Sequence, residues 1–268
     1  MTAAGTMGWE PVAAVRRRPR RAEPGVWISE LRPALDGPRG RVVAFPHAGA
    51  GPNALMPLLA RLPGGYEIVG VTLPGRERRF GERHETTPDH PGAVVDGVVT
   101  ELAGLPSCPT VFFGHSMGAS LAVAAALADP AACSRLVLSA HPPSGVRFER
   151  QASWNDAVLL EVIRLGGGTP REILDNAYWR GHLLGLLRSD LTLAARLAAR
   201  NQGGRLTMPL TVLGGDRDEL VPVRDLVGWQ EWSDTGARMR VFPGGHFYLL
   251  DEPNRPAIAT EITGTPPR

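Results

Sequence analysis

Lysine is absent from this chain of 268 residues, and all 29 of its basic residues are arginine. The net charge is only +2 at pH 7, which is too small to predict binding to nucleic acid. No apolar run is long enough to span a bilayer, so we expect no membrane association. The glycine triplet at 166–168 has neither the preceding strand nor the following lysine of a phosphate-binding loop. Since the sequence also shows no cluster of metal-ligand residues, we expect no cofactor.

Cysteine is scarce as well, with only Cys108 and Cys133. Two cysteines outside any motif do not indicate a disulfide scaffold, so we expect a reducing, cytoplasmic location. The length and a hydrophobic fraction of 43% suffice for one large domain with a substantial core. We predict that this domain covers residues 26–264 and is a monomer.

The first 25 residues predict a disordered, basic N-terminal tail. Five arginines lie at 16–21, which also raises an export signal or an anion-binding arm as alternatives. The residues that follow at 22–25, Ala-Glu-Pro-Gly, are not the apolar segment that an export signal needs. A start of translation at Met7 is a further explanation of this segment.

The most informative motif is Gly-His-Ser-Met-Gly at 114–118. An apolar run at 110–113 precedes it and an alanine-rich stretch at 119–128 follows it. A strand, a serine between glycines and a helix form the nucleophile elbow of α/β-hydrolases. The motif therefore predicts that Ser116 is a catalytic nucleophile at the N-terminus of a helix.

A serine nucleophile needs an acid and a histidine, in that order along the chain. Asp216 and Asp218 follow the predicted strand 210–213, and His246 follows the predicted strand 239–242 in a Pro-Gly-Gly-His-Phe loop. Spacing does not choose between the two aspartates. We predict Asp218 as the acid and Asp216 as a loop-capping residue. A packed core histidine is the alternative for His246.

An oxyanion hole needs two backbone N–H groups. We predict that one is the N–H of Met117, directly after the nucleophile. The small-residue loop at 46–51 follows the predicted strand 42–45 and supplies the other donor: Ala48 is the first choice and His47 the second. His47 is also a candidate substrate contact, although a loop histidine without a catalytic role is the simpler interpretation.

Strands and helices alternate along most of the chain, which predicts an α/β fold with a mostly parallel sheet covered by helices on both faces. We predict strands over 26–31, 42–45, 67–72, 110–113, 135–139, 210–213 and 239–242, and helices over 53–61, 92–103 and 119–128.

Between 144 and 205 the alternation stops, and we predict an inserted helical lid there. Its predicted helices cover 156–165, 170–176, 178–187 and 190–199. The apolar residues of these helices either line an acyl pocket or form the lid's own core. The glycine triplet at 166–168 is either a hinge or a loop that ends a helix.

These motifs together resemble the type II thioesterases, free-standing editing hydrolases of polyketide and nonribosomal peptide synthases. The resemblance covers about residues 41–251 and implies the α/β-hydrolase fold. Departures are few: Ala50 stands where the family often has a second glycine, and the N-terminal extension before Trp27 has no identified family counterpart. The matching stretches are Phe-Pro-His-Ala-Gly-Ala at 45–50, Leu-Pro-Gly-Arg-Glu-Arg-Arg at 73–79, the elbow at 114–118, Gly-Gly-Gly-Thr-Pro at 166–170 and Pro-Gly-Gly-His-Phe-Tyr-Leu-Leu at 243–250.

The resemblance implies that the substrate is a short acyl thioester on the phosphopantetheine arm of an acyl or peptidyl carrier protein. Carrier proteins are usually acidic, so entrance arginines are expected to steer them. The candidates are Arg76, Arg78, Arg79 and Arg83, with structural ion pairs as the alternative. Three other functions compete: a general carboxylesterase or acyl-CoA hydrolase, a chain-releasing cyclase, and a non-catalytic partner of a synthase.

Overall fold

The computed structural model describes residues 26–35, 37–85, 87–143 and 154–264. The predicted tail at 1–25 and the first part of the predicted lid, 144–153, lie outside the described residues.

In the described residues, seven strands form one sheet in the order β1-β3-β2-β4-β5-β6-β7. Only β1 is antiparallel to its neighbour, and the other pairs are parallel. The carboxyl ends of β2 to β7 therefore meet at one edge, where parallel sheets place their ligands. The strands are β1 (Ile28–Arg32), β2 (Gly40–Phe45), β3 (Tyr66–Val71), β4 (Thr110–His115), β5 (Arg135–Ser139), β6 (Leu210–Gly215) and β7 (Ala237–Phe242).

Helices cover both faces of the sheet, and the buried apolar residues beneath them form two separate clusters. The central strands are buried along their whole length, as expected for a parallel sheet covered on both sides. The α-helices are α1 (Met56–Leu59), α2 (Pro91–Ala103), α3 (Met117–Ala128), α4 (Asp156–Gly166), α5 (Arg171–Asp175), α6 (Ala177–Asn201), α7 (Val223–Leu226) and α8 (Arg255–Thr263). These elements confirm the predicted α/β-hydrolase architecture.

The predicted pair of helices at 178–187 and 190–199 is wrong, because α6 runs unbroken from Ala177 to Asn201. Ser189 and Asp190 are polar residues that often end helices. Here the Ser189 hydroxyl donates to the His84 carbonyl, and the Asp190 carboxylate is paired with Arg76. Tertiary partners therefore satisfy both side chains without interrupting the helix.

The helix observed within the predicted range 53–61 is also shorter than expected. A 3₁₀ turn at Pro52–Leu55 leads into α1, which has only four residues. Pro57 lies in the first turn of α1, where a backbone N–H group would have no partner within the helix, so the N–H that proline lacks is not needed there. This short connection brings the chain back to β3 behind the predicted oxyanion loop.

Helix α6 has two different environments along its length. Leu193, Ala194 and Leu197 belong to the main core, where α6 packs against α3. Leu184, Leu187 and Leu191 belong to a third apolar cluster that also contains residues of α4. The C-terminal half of α6 is thus part of the core, and its N-terminal half roofs the carboxyl edge of the sheet together with α4.

Candidate active site

Ser116 lies at the junction of β4 and α3, with a strained backbone at φ 53° and ψ −127°. Its N–H donates to the carbonyl of Ser139 over 2.8 Å, which fixes the turn. A Cβ atom at Gly118 would lie 2.0 Å from the carbonyl oxygen of Phe45, and one at Gly114 would lie 2.6 Å from the Cα atom of Ala119. Both glycines are required for the close approach of α3 to the sheet, which holds Ser116 at the sheet edge.

His246 joins Ser116 to Asp218 by two hydrogen bonds. The distance from His246 Nε2 to Ser116 Oγ is 3.0 Å, and that from His246 Nδ1 to Asp218 Oδ2 is 2.8 Å. His246 is 2% exposed and Asp218 5% exposed, so solvent does not compete for the carboxylate–imidazole contact. The N–H groups of Leu220 and Val221 donate to Asp218 Oδ1 at 2.9 Å each. These bonds orient the carboxylate, so the geometry is that of a Ser-His-Asp triad.

Asp216 has a different position, although it lies only two residues away. Its Oδ1 accepts a hydrogen bond of 2.8 Å from the N–H of Gly244. Its side chain is half-exposed and lies 3.8 Å from Arg217. Asp216 therefore ties the loop after β6 to the loop that carries His246, without touching the imidazole ring.

The loop after β2 folds into a four-residue turn, in which the N–H of Ala50 donates to the carbonyl of His47 over 3.2 Å. Gly49 occupies the third position with φ +80°, as type II turns require. Ala48, in the second position, lines the same cavity as Ser116 and His246. Met117 starts α3, where the first N–H groups have no partner within the helix. The structure thus brings both predicted oxyanion donors to the sheet edge that holds Ser116.

His47 lies in this turn with its ring beside two other rings. Its centroid is 4.8 Å from that of Phe247 and 5.8 Å from that of His115. Desolvation lowers the pKa of His47 to about 3, and the nearby charges of His246 and Arg76 lower it further. His47 is therefore neutral at physiological pH, and it lines the cavity as a polar but uncharged group.

His115 and His141 are two more buried histidines that the sequence analysis did not single out. The His115 ring lies 5.0 Å from the His246 ring, and its Nδ1 is 2.9 Å from the hydroxyl of Ser139. Burial lowers the pKa of His115 well below its usual value. Burial also lowers the pKa of His141 to about 3, and its Nε2 lies 2.6 Å from the Ser120 hydroxyl. Both imidazoles are neutral, and neither has a carboxylate partner among the described residues.

A cavity of about 250 Å³ opens on Ser116 and His246 beneath α4 and α6. Its walls are mainly aliphatic, so it suits an apolar group attached to the reacting carbonyl. Gly167 and Gly168 directly follow α4 with φ values of +69° and +77°, which supports the interpretation of the triplet as a helix-ending loop. The apolar lining includes Val162, Ile163, Leu183, Leu187, Leu191, Leu220, Phe247 and Leu250.

Two of the four predicted entrance arginines are buried. Arg76 is 4% exposed and Arg79 is 6% exposed, and they pair with Asp190 and Glu82 respectively. The prediction that these two arginines steer a partner is therefore wrong, and the alternative of structural ion pairs holds for both. Arg78 and Arg83 are exposed.

Asp190 is a residue near the site that the sequence analysis missed. It lies on α6, far along the chain from the triad, and accepts a hydrogen bond of 2.7 Å from the N–H of Gly49. Its neighbours in sequence form no motif, so its only signal was the position of its partner Arg76 in the Leu-Pro-Gly-Arg stretch.

Among the described residues, no group of three or more histidine, cysteine, aspartate or glutamate side chains is placed to hold a metal ion. Within the same residues, no helix has the length and apolarity that crossing a membrane would need.

Comparison with known proteins supplies independent information. Residues 40–265 match the Thioesterase domain family. The chain is 35% identical over 241 residues to the probable cadicidin biosynthesis thioesterase of Streptomyces griseus, covering 88% of this chain and 64% of that protein. It is 30% identical over 245 residues to thioesterase PikA5 of Streptomyces venezuelae, covering 88% and 84%.

A solved structure, the RedJ thioesterase from the prodiginine biosynthetic pathway in Streptomyces coelicolor, is similar throughout. It superimposes with a TM-score of 0.72 at 27% identity, covering 95% of this chain and 96% of that one.

Proposed function

The chain belongs to the thioesterase family, and from this premise we propose that it is a type II thioesterase that removes short acyl groups from the phosphopantetheine arm of acyl or peptidyl carrier proteins. The relatives whose names refer to cadicidin and prodiginine biosynthesis support a role in a biosynthetic pathway, and we propose that this role is beside a polyketide or nonribosomal peptide synthase. The observation that carries the proposal is the hydrogen-bonded Ser116–His246–Asp218 array at the mouth of an apolar cavity.

The first half-reaction forms an acyl-enzyme. His246 Nε2 takes the hydroxyl proton of Ser116 as the oxygen attacks the thioester carbonyl, and Asp218 stabilises the resulting imidazolium. The N–H groups of Met117 and Ala48 would bind the oxyanion of the tetrahedral intermediate. The carbon–sulfur bond then breaks, and the pantetheine sulfur leaves with the proton from His246.

The second half-reaction hydrolyses the acyl-enzyme. His246 takes a proton from a water molecule, whose oxygen attacks the acyl carbonyl, and the same two N–H groups would bind the second oxyanion. Collapse of this intermediate returns the proton to Ser116 Oγ and releases a carboxylic acid. The reaction needs no group beyond the protein, the substrate and water, so we propose that the pantetheine belongs to the substrate and that the enzyme has no cofactor.

The size and lining of the cavity support small acyl groups as cargo. A volume of about 250 Å³ is below the range of about 300–1,000 Å³ that is usual for sites of drug-sized ligands. Leu183, Leu187 and Leu191 of α6 limit it on one side, and Val162 and Ile163 of α4 also line it. His47 is the proposed polar contact to the substrate, because its neutral ring lines the same cavity.

The competing functions have less support. A non-catalytic partner of a synthase would not need a hydroxyl at hydrogen-bonding distance from a buried imidazole that is itself paired with a buried carboxylate. A general carboxylesterase or an acyl-CoA hydrolase would use the same triad, but the relatives with names from biosynthetic pathways favour carrier-bound substrates. We also propose a cytoplasmic location, since Cys108 and Cys133 are both free thiols. The proposed oligomeric state is a monomer.

Deacylation of loaded carrier proteins tests this function. Acyl carrier protein would be loaded with acetyl, propionyl, butyryl or octanoyl groups and followed by intact-protein mass spectrometry. We expect rapid loss of the short acyl groups, slower loss of octanoyl, and no loss above the spontaneous rate with Ser116→Ala, because the nucleophile is then missing.

The matched comparison uses a p-nitrophenyl ester and an acyl-CoA carrying the same acyl group. Turnover of these substrates without any deacylation of the carrier would assign a general esterase or an acyl-CoA hydrolase instead. Inertness towards all three would support the non-catalytic alternative.

A further inference from the structure

A buried ion pair connects the lid helix to the loop after β3. Arg76 donates from Nη1 and Nη2 to the two carboxylate oxygens of Asp190, over 2.6 and 2.8 Å. The side chains are 4% and 1% exposed. Removing two charges from water costs several kcal/mol per ion, and an apolar pair of similar volume is often at least as stable. Stability alone is therefore a weak explanation for this pair.

The same two side chains hold the turn at 47–50. The N–H of Gly49 donates to Asp190 Oδ2 over 2.7 Å, and Arg76 Nη1 donates to the carbonyl of Ala50 over 3.3 Å. One contact acts on a backbone donor and the other on a backbone acceptor, in the two residues that directly follow Ala48. The peptide group between Ala48 and Gly49 and the peptide group after Ala50 are thus both held by a charged pair outside the loop.

Helix α6 also packs directly on this turn. A Cβ atom at Gly49 would lie 3.0 Å from Leu183 Cδ1 and 3.2 Å from Leu187 Cδ2. Few side chains of the turn are polar, and the turn contains a glycine at positive φ. Its backbone therefore has other conformations available. Hydrogen bonds to ionised groups are about twice as strong as neutral ones and favour one of these conformations.

We propose that Asp190 and Arg76 are positioning residues that fix the turn at 47–50, so that the N–H of Ala48 points at the oxyanion of each tetrahedral intermediate. This inference rests on the proposed function, and it assigns part of the oxyanion hole to the lid helix. Preorganised donors must lie within about 2.7–3.1 Å of the oxyanion, so a small rotation of this turn removes their effect.

The test is Asp190→Asn, which keeps the size of the side chain but removes its charge. Removing one oxyanion donor costs on the order of 10²–10³ in kcat. A displaced donor retains part of its effect, so we expect kcat on an acyl-pantetheine thioester to fall about 10- to 100-fold with KM changed less than about threefold.

Inhibitor binding separates positioning from folding. A trifluoromethyl ketone forms a tetrahedral adduct with Ser116 and needs the oxyanion hole, whereas the corresponding thioether binds without forming an oxyanion. Asp190→Asn is expected to weaken binding of the ketone by the same factor as kcat/KM and to leave binding of the thioether unchanged.

The matched control is Glu67→Gln, which removes the charge from another largely buried pair. Glu67 and Arg41 are 2.6 Å apart at the opposite end of the strands. Glu67→Gln should lower the melting temperature without changing kcat or the ratio of ketone to thioether affinity. If Asp190→Asn behaves in the same way, the pair is structural only and the proposal is overturned. A rise in KM alone, with kcat unchanged, would also overturn it.

Arg76→Lys provides a second variant in case Asp190→Asn does not fold. It keeps the positive charge but loses the two-pronged contact with the carboxylate. A selective loss of ketone affinity supports the proposal, and an unchanged ratio contradicts it. If the wild-type protein fails on acyl-carrier substrates, the proposed function fails, while the ratio of inhibitor affinities still tests the positioning role.

Discussion

At the scale of single residues, the site distinguishes its histidines by their partners. The ring of His115 lies 5.8 Å from that of His47 and 5.0 Å from that of His246, but of these three histidines only His246 bridges a carboxylate and a hydroxyl. Burial lowers the pKa of both neighbours, and the nearby charge of His246 lowers it further, so they remain neutral. One positive charge can therefore form during the reaction without competition from adjacent imidazoles.

The two aspartates after β6 should differ sharply in their effect on catalysis. Asp218→Asn removes the group that selects the imidazole tautomer, and in other triads this change lowers kcat on the order of 10⁴-fold. Asp216→Asn keeps an oxygen that can accept from Gly244 and leaves the triad untouched, so we expect less than about a threefold change. Steady-state kinetics of both variants on one acyl-pantetheine substrate measures the difference.

Melting curves of the two proteins provide the control. Both variants should remain folded at the assay temperature, since each keeps its backbone hydrogen-bond acceptor. A large loss of kcat in folded Asp216→Asn, with Asp218→Asn near wild type, would reverse the assignment of the acid.

The residues of the candidate triad could be predicted from the sequence because each follows a recognisable apolar strand. Ser116 and His246 also lie next to glycines, so the tight backbone turns that position them can be recognised in the sequence. Asp190 could not be predicted in this way, because a carboxylate within an amphipathic helix is usually solvated. Its contact with Arg76 depends on how α6 crosses the sheet edge, which local sequence does not encode.

At the scale of elements, two glycines within helices have opposite roles. Gly118 in α3 lies against the backbone of Phe45, where a Cβ would overlap the carbonyl oxygen. In the part of the chain that the structure describes, a Cβ atom at Gly181 in α6 would meet no heavy atom within 4 Å apart from its chain neighbours and the backbone of its own helix. One glycine is needed for packing, whereas the other only lowers helix propensity.

Alanine substitution at these two positions should change the free energy of unfolding in opposite directions. Gly118→Ala forces α3 away from β2 and should cost at least about 3 kcal/mol. Gly181→Ala should stabilise the protein by about 0.5–1 kcal/mol through helix propensity. Urea unfolding followed by circular dichroism gives both values, and destabilisation by Gly181→Ala would contradict the open environment described for that position.

The elements were predicted well where an apolar run had clear ends. The strand at 135–139 was predicted with its observed limits, and β4 and β6 were found with boundaries that were too short. The error in α6 has a physical origin, since Ser189 and Asp190 favour a helix end locally and only tertiary partners override this preference.

At the scale of the whole molecule, the sheet assembles the site from distant parts of the chain. Ser116 follows β4, Asp218 follows β6 and His246 follows β7, and parallel pairing brings these loops to one edge. This convergence could be predicted from the alternation of strands and helices, because that alternation indicates a mostly parallel sheet whose strands end at one edge. The position of the roof was predicted only as a region, because helix–helix packing depends on contacts that a single sequence does not display.

Buried neutral histidines should make the fold sensitive to acid. In the unfolded chain a histidine has a pKa near 6.5, whereas burial lowers the pKa of His47 and of His141 to about 3 in the folded protein. Below pH 6.5 the unfolded state binds protons that the native state does not, so stability is complete above about pH 6.5 and falls as the pH drops towards 3.

Urea unfolding at pH 7.5 and pH 5.5 tests this expectation. Each such histidine should lower the free energy of unfolding by roughly 1 kcal/mol between these two pH values. His141→Gln retains a partner for the Ser120 hydroxyl but does not titrate, so its pH dependence should be smaller by one histidine's share. An identical pH dependence in wild type and variant would show that His141 is not the source.

The continuity of α6 constrains how this architecture diversifies during evolution. One inserted residue within 177–201 would rotate the remainder of the helix by about 100°, turning either the roof residues or the core residues away from their partners. Lineages that change the size of their cargo are therefore expected to exchange side chains along α6 while keeping its length. Insertions and deletions are expected to accumulate before Ala177, in α4, α5 and their connections.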